Sequence, residues 1–148
     1  VDVGADRCVI LLGGRCECLY YAYYYAKPYL ENNCNVLVVD QRAHGKSQGH
    51  TITFGIKERK DVVAWAHKLN ELYNPEKMVI YGMSMGCAST EMAISMDIPS
   101  NVKCAVLDCG FKALFPLMMS ETKKRIKINP FFSVLIMNMF TTLILNLM

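Results

Sequence analysis

Four short apolar runs punctuate the chain: Cys8-Val-Ile-Leu-Leu12, Val36-Leu-Val-Val39, Met78-Val-Ile-Tyr81 and Val102-Lys-Cys-Ala-Val-Leu107. They are continuous and rich in Val and Ile rather than alternating, the pattern of parallel strands covered on both faces. Longer stretches with helical spacing separate them. Ile56 to Tyr73 sets Val62, Trp65, Ala66, Leu69, Leu72 and Tyr73 along one stripe, and Asn74-Pro75 stops it. Cys18 to Asn32 predicts a second helix, crowded with tyrosines and kinked or shortened at Pro28. A third is predicted from Ser84 to about Asp97, closed by Pro99. The order β-α-β-α-β-α-β implies an α/β fold, a doubly wound and mostly parallel sheet with right-handed crossovers and helices on both faces.

A chain of 148 residues fits one domain with a core of its own. Its 53% hydrophobic and 20% charged content are those of a globular protein. The net charge of +3 is small and scattered, so no nucleic acid partner is expected. The seven cysteines are odd in number, and Cys8, Cys34 and Cys104 sit in apolar runs. Cys16-Glu-Cys18 has no second ligand pair, so no metal is expected, and no cofactor. Buried free thiols in a reducing, cytoplasmic compartment are the expectation. No secretory signal is visible, and a start at Val1 rather than Met suggests a trimmed N-terminus.

The stretch Gly82-Met-Ser-Met-Gly86 follows the third run directly. In an open parallel sheet, reactive groups collect at the C-terminal ends of the strands. A Gly-x-Ser-x-Gly turn between strand and helix holds its serine in a strained conformation with the hydroxyl exposed. Gly82 and Gly86 keep that turn free of side chains that would collide. The helix N-terminus behind Ser84 favours developing negative charge, and the Met85 N–H is placed as an oxyanion donor. Ser84 is therefore the candidate nucleophile.

Three stretches carry a family resemblance: the Gly82–Gly86 elbow, Asp40-Gln-Arg-Ala-His-Gly-Lys-Ser47 after the second run, and Leu12-Gly-Gly-Arg15 after the first. With Ile52-Thr-Phe-Gly55 and Ala105-Val-Leu-Asp-Cys-Gly110, they make the chain resemble the α/β-hydrolases, nearest the bacterial serine aminopeptidase (S33) and monoacylglycerol lipase-like branch. The resemblance implies a serine hydrolase that acts on a small-molecule ester, acyl or peptide substrate through an acyl-enzyme at Ser84. It makes the Arg15 N–H the second oxyanion donor, and it makes Asp40 and Arg42 loop-fixing residues rather than substrate contacts. Such families usually carry His-Gly in the oxyanion loop; here Gly13 stands at the histidine position, and the loop-fixing contacts of that histidine are lost.

The hydroxyl of a serine needs a base, and the base needs an orienting acid. In this fold they follow in the order Ser, Asp or Glu, His, yet His44, His50 and His67 all precede Ser84. His44 is expected to be a turn residue and His67 a solvated one. Asp108 is a candidate acid by analogy with some lipases, although the resembled branch carries its acid one strand later. The expectation is an incomplete domain, cut before its last strands, with the acid and base downstream and the isolated chain inactive.

Phe111 to Lys127 predicts a helix ending in the basic cluster Lys123-Lys-Arg-Ile-Lys127. Phe131 to Met148 is then 18 residues without charge, near the lower limit for a membrane helix. Ser133, Asn138, Thr141, Thr142 and Asn146 interrupt it. By resemblance, residues 1–110 form the hydrolase core and 111–148 a helical cap over the acyl pocket. The alternatives are a membrane-anchored or a non-catalytic, binding relative. Gly45-Lys-Ser47 invites a nucleotide-binding loop, but that motif needs glycine where Asp40 stands.

Overall fold

The computed structural model describes residues 1–17, 19–114, 116–117, 119–120 and 132. The chain divides into two compact units, Val1–Phe111 and Lys112–Met148. The helix expected over Phe111 to Lys127 falls mostly outside the described residues, as does all of 131–148 except Phe132. Among the described residues, no helix is long and apolar enough to cross a membrane.

Seven elements follow in the expected alternation: β1 (Arg7–Leu12), α1 (Leu19–Glu31), β2 (Asn35–Val39), α2 (Glu58–Tyr73), β3 (Lys77–Met83), α3 (Met85–Ala93) and β4 (Val102–Asp108). The strands form one sheet in the order β2-β1-β3-β4, with every pair parallel. Alternate residues of the central strands point to opposite faces. On one face Cys8, Ile10, Leu12, Met78 and Ile80 pack against Val62, Ala66 and Leu69 of α2 and Ala93 of α3. On the other, Val9, Leu11 and Val36 pack against Ala26, with Tyr25, Tyr29 and Leu30 of α1 beside them. Helices thus cover both faces, as the continuous apolar runs predict. Burying each such aliphatic side chain stabilises the fold by roughly 1.5–3 kcal/mol. The chain leaves β1 first towards β2 and later towards β3, so the sheet's switch point lies between the C-terminal ends of β1 and β3.

Several sequence expectations are corrected. Leu72 and Tyr73, expected on the buried stripe of α2, are exposed at its last turn. α1 runs through Pro28 to Glu31 without being shortened. Proline deprives only the Tyr24 carbonyl of its helical partner, and Tyr24 is exposed. α3 stops at Ala93 rather than near Asp97; Ile94 and Met96 are exposed, so a further turn has no apolar face to bury. Cys104, with Cys16 and Cys109, is exposed rather than buried. Among the described residues β4 has a neighbour on one side only, and several of its side chains face outward. Cys8 and Cys87 are the buried thiols among the described residues, and burial pushes the pKa of both up.

The Asp40–Ser47 segment folds as a turn about Asp40. The Lys46 N–H donates to Asp40 Oδ2 at 3.0 Å and Ser47 Oγ to the Asp40 carbonyl at 2.6 Å. No helix starts at Lys46, so the nucleotide-loop alternative finds no support in the backbone. Arg42 reaches α2, donating from Nε and a terminal nitrogen to the two Asp61 oxygens at 2.6 Å each. Hydrogen bonding to Asp61 raises the Arg42 pKa against the opposing effect of burial. Arg42→Ala is expected to lower stability by about 1–2 kcal/mol, with Arg42→Lys rescuing little of it, because lysine cannot reproduce the planar fork. Denaturant midpoints of the two variants that match wild type would contradict this.

At the start of α2, Glu58 is fully buried. Its carboxylate accepts from the Thr53 N–H at 2.8 Å, the Thr53 hydroxyl at 2.6 Å and the Gly55 N–H at 2.9 Å. Burial alone raises its pKa, but these donors together outweigh burial and hold it below the ordinary value. A depressed folded-state pKa stabilises the fold above the unfolded pKa of about 4.3 and loses that stabilisation as pH falls through the folded value. Glu58→Gln is therefore expected to cost about 2 kcal/mol at neutral pH and to flatten the loss of stability below about pH 4.3. Parallel stability–pH curves for the two proteins would show that Glu58 is not the group responsible.

Candidate active site

β3 ends at Met83 and α3 begins at Met85, leaving Ser84 alone in the junction, at the sheet's switch point. Its backbone has φ 50° and ψ −107°, a region that a residue with a Cβ rarely adopts. The Ser84 N–H donates to the Asp108 carbonyl at 2.9 Å, continuing the β3–β4 ladder one residue past the strand. The half-buried Ser84 hydroxyl is bonded to no described residue.

The glycines on either side have a steric reason. A Cβ on Gly82 would lie 2.4 Å from the Gly86 carbonyl oxygen and 2.5 Å from Thr90 Oγ1. A Cβ on Gly86 would lie 2.3 Å from the Leu12 carbonyl oxygen and 2.8 Å from that of Gly13. α3 therefore approaches the end of β1 backbone to backbone. The same approach brings the Gly13–Arg15 loop to the serine, and a side chain on Gly14 would stand 3.3 Å from Ser84 Cβ. The Met85 N–H opens α3 and has no acceptor within the helix. Ser84, Met85, Gly82, Gly86 and the loop bearing Arg15 are thus gathered in one place.

Asp108 lies beside this group at the end of β4, in register with Met83. Its carboxylate accepts from the Tyr81 hydroxyl and, at 3.1 Å, from the Cys109 thiol. The Tyr81 bond, then the Cys109 bond, holds the Asp108 pKa below its ordinary value. Burial first, and the Asp108 carboxylate second, push the Tyr81 hydroxyl well above the usual tyrosine range. No histidine is among the partners of Asp108. His44 is buried in its own turn, with Nδ1 on the Arg42 carbonyl at 2.9 Å, and its Nε2 finds no partner among the described residues. His67 Nε2 is engaged at 3.0 Å with the Asp97 carbonyl, in an exposed position.

Two residues of the neighbourhood escaped sequence reasoning. Gln41 is buried; its Nε2 donates to the Gly13 carbonyl at 2.7 Å and its Oε1 accepts from Ser89 of α3 at 3.1 Å. It ties the turn after β2 to the loop after β1 and to the helix behind Ser84. Glu17 accepts the Gly14 N–H on Oε2 at 2.7 Å. A polar residue just past a buried strand was a signal for Gln41. An acid three residues after Gly14, the spacing of a reciprocal cap, was one for Glu17. A hollow of about 280 Å³ opens at the other end of the strands, among Cys8, Asn35, Val36, Trp65, Leu69 and Leu72, away from Ser84.

A family described as alpha/beta hydrolase fold matches residues 7–134. An esterase of Pyrococcus furiosus, solved in two crystal forms, superposes with TM-scores of 0.75 and 0.64 at 28% and 30% identity. The superpositions cover 88% and 82% of this chain, and 51% and 47% of the esterase. Among curated relatives, an uncharacterized protein of Bacillus subtilis is 28% identical over 59% of this chain and 29% of its own length. An uncharacterized protein of Acanthamoeba polyphaga mimivirus is 28% identical over 68% of this chain and 34% of its own. The chain thus spans about a third of the curated relatives it matches and about half of the esterase.

Proposed function

The chain belongs to the alpha/beta hydrolase fold family, and on that premise we propose that it carries the nucleophile of a serine hydrolase acting on carboxylic esters. The backbone of Ser84 carries the reading. It is a non-glycine residue at φ 50° on the C-terminal end of a parallel strand, with a hydroxyl bonded to no described residue. Such strain persists only where the surroundings over-determine it, and the close approaches at Gly82 and Gly86 supply that constraint.

In the proposed reaction Ser84 Oγ attacks the acyl carbon while a histidine takes the hydroxyl proton. The tetrahedral oxyanion accepts from the Met85 and Arg15 N–H groups. Collapse breaks the ester C–O bond, the histidine returns its proton to the departing alcohol, and an acyl-serine remains. Water, deprotonated by the same histidine, releases the carboxylic acid and restores Ser84.

No histidine follows Ser84 in this chain, and the fold's usual order places acid and base after the nucleophile. The reading therefore assigns both to residues beyond Met148. Asp108 takes second place as acid, because Tyr81 and Cys109 occupy its carboxylate. Residues 1–110 are assigned to the core and 111–148 to a cap. The Asp40–Ser47 turn supports the serine aminopeptidase and monoacylglycerol lipase-like branch. An ester is favoured over a peptide by the likeness to the Pyrococcus furiosus esterase. A fluorophosphonate probe applied to the complete protein is expected to label Ser84 alone. Labelling that persists in Ser84→Ala, or no labelling at all, would overturn the reading.

A further inference from the structure

We propose that Glu17 is the positioning residue of the oxyanion loop, holding the peptide that carries the Arg15 N–H; this rests on the serine hydrolase reading above. Both polar groups of Gly14 are bound to the same residue. The Gly14 N–H donates to Glu17 Oε2 at 2.7 Å, and the Gly14 carbonyl accepts the Glu17 N–H at 3.2 Å, closing a four-residue turn. A planar trans peptide sets its N–H opposite its C=O. Fixing the Gly14 carbonyl on the Glu17 backbone N–H therefore fixes the Arg15 N–H on the other edge of that peptide, and the Glu17 side chain acts on this turn through the Gly14 N–H. The preceding peptide is pinned too: Gln41 holds the Gly13 carbonyl at 2.7 Å, and the Glu17 carboxylate holds the Gly14 N–H.

The turn needs such a restraint. Cys16, its third residue, has φ 66°, a conformation that favours glycine or asparagine. Left to local preference, the turn would relax and rotate the Gly14–Arg15 peptide. Glu17 also fills the space that a side chain at position 13 would take, since a Cβ there would lie 3.1 Å from Glu17 Oε2 and 3.2 Å from Glu17 Cβ. The contacts that a histidine at position 13 supplies in the resembled families are replaced by an acceptor four residues later. What this role requires is an acceptor oxygen, not a charge; a carboxylate this near a developing oxyanion is if anything a disadvantage.

The test uses the complete protein with wild type, Ser84→Ala, Glu17→Ala and Glu17→Gln, and two readouts: hydrolysis of p-nitrophenyl acetate and hydrogen exchange at the Gly14 amide. Glu17→Ala is expected to lower kcat about 100-fold, the scale of losing one oxyanion donor, with KM and the melting temperature near wild type. Gly14 exchange should accelerate in the same variant. Glu17→Gln, which keeps an acceptor oxygen, should restore both kcat and Gly14 protection. A Glu17→Ala protein with wild-type kcat, a Glu17→Gln protein no better than alanine, or a Gly14 amide indifferent to residue 17 would overturn the proposal. Turnover that survives Ser84→Ala would instead defeat the hydrolase reading, while the exchange readout judges the loop independently.

Discussion

Replacing Gly86 with alanine is expected to cost the fold about 3 kcal/mol or more and lower its melting temperature by about 10 °C. The added Cβ would sit 2.3 Å from the Leu12 carbonyl oxygen, 2.8 Å from the Leu12 carbonyl carbon and 2.8 Å from the Gly13 carbonyl oxygen. All three are backbone atoms, so no side chain can swing aside. Relief requires α3 to move off the end of β1 by about 1 Å to recover ordinary van der Waals separation. That motion breaks into a well-packed layer, because Leu12 and Ala93 belong to one buried cluster with Ile10, Val62 and Ile80. It also draws Ser84 away from the Gly13–Arg15 loop, so activity should fall further than stability alone explains. Gly13→Ala is the milder comparison: its Cβ meets Glu17 Oε2 at 3.1 Å and Glu17 Cβ at 3.2 Å and no backbone atom, so the melting temperature should fall much less than in Gly86→Ala. A Gly86→Ala protein that melts with wild type would show that the turn is not sterically closed.

The sheet and the Ser84 turn were legible because each is written locally. A parallel strand covered on both faces announces itself as a continuous apolar run, and the elbow announces itself as glycines two residues either side of a serine. α3 ended early for the opposite reason. Ile94 and Met96 extend the apolar pattern in sequence, but neither meets a partner to bury against, and pattern alone does not report where the opposing surface stops. The outward-facing Cys104 likewise depends on β4 having one neighbour among the described strands, which the run Val102–Leu107 does not report. The Tyr81–Asp108 bond depends on the shift of register between Met78 and Val79. Gln41 joins groups 28 and 48 residues away, and neither distance leaves any trace in its own neighbourhood. What stayed hidden was thus the set of polar contacts made between loops once the strands had aligned them.

The 148-residue chain by itself is expected to hydrolyse p-nitrophenyl esters barely above the rate left by its oxyanion donors. A serine hydroxyl without a base keeps a residual advantage of roughly 10³–10⁴ over water, and the loss on removing the nucleophile's base is about 10⁶-fold in serine proteases of the subtilisin type. The histidines within the chain do not fill the gap. His44 commits Nδ1 to the Arg42 carbonyl and is buried, and its Nε2 bonds to no described residue, Ser84 included. His67 sits on α2 with Nε2 on the Asp97 carbonyl, which no catalytic geometry at the C-terminal end of β3 uses. His44→Ala and His67→Ala should therefore leave the faint activity of the chain unchanged, as should removal of the Asp108 carboxylate by Asp108→Asn. A form extended past Met148 to include an acid and a histidine should gain several orders of magnitude and lose them again with Ser84→Ala. Kinetics on the short and extended forms, each with and without His44, separate the two arrangements. Brisk turnover by the short chain that vanishes with His44→Ala would place the base inside the Asp40–Ser47 turn and overturn the assignment of acid and base to residues beyond Met148.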